Sequence, residues 1–233
     1  MKKLFAVVAA VALLALTGCD KKTDNPTSPG AGSKPNVPVI QIQTSIPDTT
    51  TNQYAQAARG QVQGVNAFFA QGTIFSALPA NNSGNTWTWT YAAGGLTETF
   101  TATLQNDGSY TWSLMLNGSD GQYTYNNFQM WYGTTSADGK TGNWTIYGYN
   151  DTTSVKFTWS TDANGTLTGT LDDMAGTTVQ HRMTITSRTD KSGELNYYDG
   201  TATLTERWVW AVDGHGAFYT YPTPGASAPV GTW

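Results

Sequence analysis

From Thr86 onward the chain keeps a two-residue beat. Trp87, Trp89 and Tyr91 alternate with Thr86, Thr88 and Thr90, and Leu96, Glu98, Phe100, Ala102 and Leu104 alternate with Thr97, Thr99, Thr101 and Thr103. Successive side chains of a strand point to opposite faces, so this period gives each strand one apolar face and one hydroxyl face. The beat continues through Tyr110/Trp112/Leu114/Leu116, Tyr123/Tyr125, Trp144/Ile146, Val155/Phe157/Trp159, Leu167/Leu171, Val179/His181/Met183/Ile185, Leu195/Tyr197, Leu204/Glu206/Trp208/Trp210 and Phe218, about eleven strands between residues 84 and 222. Asp107-Gly108, Asn117-Gly118, Asp120-Gly121, Asp138-Gly139, Asn164-Gly165, Asp199-Gly200 and Asp213-Gly214 separate the runs with residues that tolerate positive φ. Links this short make consecutive strands neighbours, which predicts an up-and-down antiparallel meander in a mainly β protein. Asp138-x-x-x-Gly142-x-Trp144, Asp190-x-x-Gly193-x-Leu195 and Asp213-x-x-Gly216-x-Phe218 resemble one another, as a duplicated hairpin would.

A flat sheet of that width with rings on one side would leave a large apolar patch in water, so it must curl into a barrel or a curved half-barrel. Residues 51–80 supply a filling for it: Tyr54, Ala58, Val62, Val65 and Phe69 fall on one stripe of an amphipathic helix, which is expected to pack on the concave apolar face. A transmembrane barrel shares the alternation, but it would put Glu98, His181 and Glu206 toward lipid and needs strands of about 9 to 11 residues. Residues 19–50 are rich in Pro, Thr and Ser and read as a flexible linker, and residues 223–233 as a C-terminal tail.

The first 18 residues have the form of an export signal, with Lys2 and Lys3 followed by an apolar run from Leu4 to Leu16. Leu16-Thr17-Gly18-Cys19 ends at the chain's single cysteine and resembles the lipobox of bacterial lipoproteins. The resemblance covers these residues alone. It implies cleavage before Cys19, acylation of that cysteine, and a domain tethered by lipid to a membrane of the cell envelope, outside the cytoplasm. The order of one helix and a curved sheet is also similar to periplasmic lipoprotein carriers of the LolA and LolB type, without any matching motif.

The net charge is -4 and only 12 % of residues are charged, with no basic cluster of the kind a nucleic-acid binder carries. Three polar residues, Glu98, His181 and Glu206, share the phase of the apolar face, and burying a carboxylate is costly unless it is paired or solvated. One reading sets them in a cavity with Trp89, Trp112 and Trp208 that holds a lipid, an amphipathic molecule or a glycan. The other places them at strand ends, or pairs them with Arg59 of the helix or with one another. Catalytic, metal and cofactor motifs are absent: there is no G-x-S-x-G, no P-loop and no second His or Cys at ligand spacing. The expectation is a non-enzymatic, lipid-anchored envelope protein with an aromatic-lined cavity, against two alternatives, a pocketless interaction module and a glycan-binding module that exposes coplanar tryptophans.

Overall fold

A computed structural model describes residues 34–70, 75, 77–149, 153–221 and 228–233. The export signal, Cys19 and the first part of the linker lie outside these residues. The strands are β1 (Asn81–Ser83), β2 (Thr86–Ala93), β3 (Leu96–Leu104), β4 (Tyr110–Ser119), β5 (Thr124–Thr135), β6 (Thr141–Tyr147), β7 (Thr153–Thr161), β8 (Leu167–Ala175), β9 (Thr178–Ser187), β10 (Gly193–Asp199), β11 (Thr203–Trp210), β12 (Gly216–Thr220) and β13 (Gly231–Thr232), and one helix, α1, spans Gln53–Ala70. They form a single antiparallel sheet in sequence order, β1 to β13. The two ends of that order do not pair, so the sheet is open and the closed barrel allowed by the sequence is not formed.

The eleven expected strands are β2 to β12. The two additional ones are the shortest, three and two residues long, and carry too few side chains to show a period. The expected tail therefore contains a strand, with Thr232 opposite Ala217 and Gly231 opposite Phe218.

On the inner face large and small side chains alternate from β2 to β6, and large ones stand side by side from β6 to β10. One row crosses eleven strands as Trp87, Ala102, Trp112, Gly133, Trp144, Phe157, Leu171, Met183, Tyr197, Glu206 and Thr220. A glycine beside a tryptophan leaves room for the indole to lie flat on the neighbouring backbone. Thus Trp159 covers Gly142, Trp210 covers Gly193 and Trp233 covers Gly216. In each case the tryptophan comes seventeen residues after its glycine, and this spacing is the physical content of the duplicated hairpin. The indole N–H then caps the turn preceding the glycine in two of the three, Trp159 Nε1 donating to Gly139 O at 3.1 Å and Trp210 Nε1 to Lys191 O at 2.8 Å.

Five hairpin turns at that end of the sheet share one skeleton. The amide of Gly108, Gly139, Gly165, Lys191 or Gly214 donates to the carbonyl three residues back, and each of the five residues has positive φ. Lys191, at φ 69°, is the one residue of the five with a side chain to strain.

Across this end runs the last part of the expected linker. Val37, Ile40, Ile42 and Ile46 are buried, so the linker expectation fails from residue 37 onward. Proline had marked the segment as linker, but proline fits an extended, packed strap because it only fixes φ near the extended range. The strap is pinned by Gln43 N donating to Ser187 Oγ at 2.9 Å, Ser45 N to Lys191 O at 3.2 Å, and a reciprocal pair in which Ile42 N donates to Asn66 Oδ1 and Asn66 Nδ2 to Ile42 O.

Asn52 caps α1, its Oδ1 accepting from Tyr54 N at 2.9 Å and Ala55 N at 3.3 Å. The helix buries Ala55, Ala58, Val62, Val65, Phe68 and Phe69, which matches the expected stripe with Ala55 and Phe68 added and Tyr54 at its margin. Phe69 lies 4.2 Å from Phe157 of β7, and Tyr54 lies 6.0 Å from Phe218 of β12 (ring centroids). Strap, helix and sheet share one hydrophobic cluster.

Candidate functional site

The odd-numbered strands all run the same way, so Glu98 and His181, in the first halves of β3 and β9, sit toward the same end of the sheet, opposite the strap, and Glu206 stands halfway along β11. Five strands lie between Glu98 and His181 in the order. Among the described residues no hydrogen bond or ion pair joins the three, and their environments differ. His181 has a side chain 57 % exposed, and its Nδ1 lies 3.5 Å from Asp173 Oδ2. Glu98 sits opposite Tyr91 and Leu116, and burial pushes its carboxyl above the usual range.

Glu206 is the most constrained of the three. Its Oε2 is buried without a hydrogen-bond partner, and burial raises its carboxyl. The adjacent Trp208 N–H offsets part of that penalty without reaching hydrogen-bond geometry. Opposite it, Tyr197 donates its hydroxyl proton to Gln61 Oε1 of α1 at 2.8 Å, and burial, then the charge of Glu206, hold that phenol well above its usual range. Arg59, the cation expected to pair with a glutamate, instead binds Asp48 at the end of the strap.

A carboxyl raised by burial binds a proton more tightly folded than unfolded. The stability this contributes is complete below the unfolded value near 4.5 and is lost as pH rises through the folded one. Glu206→Gln keeps the shape and removes the charge. It is expected to raise stability at neutral pH by about 1 kcal/mol, the low end of the cost of a buried unsatisfied group, because Glu206 is only half-buried. Urea melts at pH 4 and pH 7 check this, the gain appearing at pH 7 and shrinking at pH 4.

Trp89, Trp112 and Trp208 are core residues, each 5 % exposed or less. Trp112 Nε1 donates to Thr135 Oγ1 at 2.9 Å, while the indole N–H groups of Trp89 and Trp208 are buried without partners. The eight tryptophans from Trp87 to Trp210 are all buried, so none offers a face on which a sugar could stack. The expected tryptophan platform is thus replaced by a tryptophan core.

The cavity that the described residues line lies elsewhere, an open groove of about 370 Å³ between strap and helix, walled by Gln41, Gln43, Thr44, Arg59, Gln63 and Lys191. Ile42, Ile46 and Val62 also line it, but no aromatic residue does, unlike the aromatic lining expected. Among the described residues no group of three His, Cys, Asp or Glu side chains is placed to hold a metal ion.

Sequence reasoning set Tyr123 with Tyr125 on the apolar face and passed over Tyr132 and Tyr147. Tyr123, Tyr132 and Tyr147 are exposed, whereas the other large rings of the sheet are buried or half-buried. The consecutive pair Trp131-Tyr132 is the signal: a strand cannot bury both, so one ring must face out. No protein-family model matches this chain, and no curated protein does.

Proposed function

We propose that the chain is a lipid-anchored, non-enzymatic interaction module of the bacterial cell envelope, held by acylated Cys19 and presenting a solid-cored β domain beyond the membrane surface. In this reading the sheet is a curved half-barrel with α1 seated on its concave face. The observation that carries the reading is the filled interior. Large side chains of the inner face stand against small ones from β2 to β6 and against one another from β6 to β10, and Trp89, Phe100, Phe157 and Leu195, on four different strands, are each 0 % exposed, as is Phe69 of the helix. A core closed to that degree favours an interaction module over a carrier, because a carrier keeps a ligand-sized apolar cavity of about 300 Å³ or more. The carboxylates Glu98, near the start of β3, and Glu206, halfway along β11, are then partly buried groups of the same face.

Anchoring is tested by metabolic labelling with an alkyne fatty acid in a bacterial host. The wild-type chain is expected to carry label and to sediment with membranes, and Cys19→Ser to lose the label and enter the soluble fraction. An unlabelled, soluble wild type overturns the proposal. The solid core is tested separately by native mass spectrometry of the detergent-purified protein, in which a stoichiometric ligand beyond the anchor would return the carrier reading.

A further inference from the structure

The exposed aromatic rings of the described residues are all tyrosines, and all lie on one part of the sheet. Tyr132 faces outward from the middle of β5, opposite Thr145 of β6. Tyr147 follows two residues later on β6, so the two occupy diagonal positions on the same outward face, about 7 Å apart at the backbone. Tyr123 stands at the tip of the β4–β5 hairpin, and these three are 38–43 % exposed. Exposed rings are not spread over the rest of the outer face, where threonines fill the equivalent row: Thr103, Thr111, Thr134, Asn143, Thr158, Thr170 and Thr184 stand opposite one another from β3 to β9.

The surroundings of the tyrosines are built rather than incidental. Two register shifts interrupt the β4–β5 pairing, between Leu114 and Met115 and between Leu116 and Gly118, and Asn127 takes a left-handed φ of 48°. Such bulges turn side chains out of the regular alternation. Beneath the tip, Tyr125 is buried against Phe128 and Tyr149 and donates its hydroxyl to Asp120 Oδ2 at 2.8 Å, which fixes the hairpin. Around the exposed rings the side chains are hydroxyls and amides: Ser113 accepts from Gln129 Nε2 at 3.1 Å, and Asn143 Nδ2 donates to Thr134 Oγ1 at 2.7 Å.

Charge narrows the partner. The chain has no Lys or Arg between Arg59 and Lys140, so β2 to β5 carry no cation, and the one cation of the adjoining β7, Lys156 opposite Thr145, stands beside Asp172 of β8, so anionic polymers and phosphate headgroups find no cluster of cations there. Aliphatic side chains that would enter a bilayer are also absent from the outward positions around Tyr132 and Tyr147, where Ser113, Thr134, Asn143 and Thr145 stand. Flat rings with amide and hydroxyl neighbours and no cluster of positive charge suit an uncharged, hydroxyl-rich chain whose C–H faces stack on the rings.

We propose that the outward face of β5 and β6, with Tyr132 and Tyr147 as stacking rings, is a binding platform for a neutral polysaccharide. The proposal goes beyond the anchoring reading and is tested on protein taken off the membrane, so either can fail without the other. Full-length protein in detergent is incubated with insoluble cellulose, xylan, mannan and chitin and with phosphatidylcholine vesicles, and retention is measured by co-sedimentation. The expected result is retention on at least one polysaccharide and not on vesicles, with Tyr132→Ala and Tyr147→Ala each weakening it at least tenfold and Tyr132→Phe retaining it. Val212→Ala, at a more exposed apolar residue on another turn, is expected to leave it unchanged. Circular dichroism and thermal melts establish that the variants are folded. No retention by the wild type, retention that survives both alanine variants, or vesicle binding lost in those same variants would each overturn the proposal.

Discussion

Trp210→Ala is expected to cost about 3–5 kcal/mol, the range for a large buried ring replaced by a methyl group, and so to lower the midpoint of thermal unfolding by roughly 10 °C or more in a domain of this size. Trp210 is 3 % exposed, lies over Gly193, and donates its indole N–H to Lys191 O. That same carbonyl accepts Ser45 N, so removal of the ring loosens the strap as well as the sheet. The converse change, Gly193→Val, brings a Cβ to 2.6 Å from Trp210 Cζ2 and 2.5 Å from Thr186 O. Overpacking of this kind costs about 1–3 kcal/mol. Because both changes act on one contact, the double variant is expected to lose less than the sum of the two, the alanine making room for the valine. Chemical denaturation of the four proteins measures the coupling. Strict additivity would mean that the ring and the glycine do not share a space, and the account of the repeated hairpin would fall with it.

The same pair shows what could be read from the chain alone. Period two is a direct consequence of strand geometry, so the inward phase of Trp87, Trp89, Trp112, Trp159, Trp208 and Trp210 was legible, and all six are buried. The glycines preceding the tryptophans were visible as a repeat, but their role depends on the neighbouring strand, which lies outside any local window. Register also decided the fate of the polar residues. Glu98, His181 and Glu206 do share the inward phase, yet phase fixes only the face of the sheet and not the height along the strand. His181 is exposed and Glu206 only half-buried, although both share the phase of buried neighbours on the same strands. The strap was misread for a related reason. Val37, Ile40, Ile42 and Ile46 are spaced too irregularly for either period, and their burial is set by the turns beneath them. Tyr132 was hidden because its neighbour Trp131 already accounted for the hydrophobicity of the segment.

Phe69→Ala is expected to destabilise the whole domain by about 3–5 kcal/mol, whereas Gln63→Ala on the exposed side of the same helix should stay within about 0.5 kcal/mol of wild type. Phe69 is fully buried, 4.2 Å from Phe157 and 5.1 Å from Phe68 between ring centroids. The helix has little stability of its own. Gly60 and Gly64 interrupt its interior at about 1 kcal/mol each relative to alanine, and eighteen residues are near the length at which an isolated helix is marginal. Its persistence therefore depends on the sheet, and the sheet in turn depends on the helix to cover rings that would otherwise meet water. Loss of the Phe69 ring is felt on both sides of that contact. Far-ultraviolet dichroism, which follows the helix, and tryptophan fluorescence, which follows the sheet, should shift together and by the same amount. Separate transitions, or a Phe69→Ala variant as stable as Gln63→Ala, would mean that the helix is an appendage and that something else fills the apolar face.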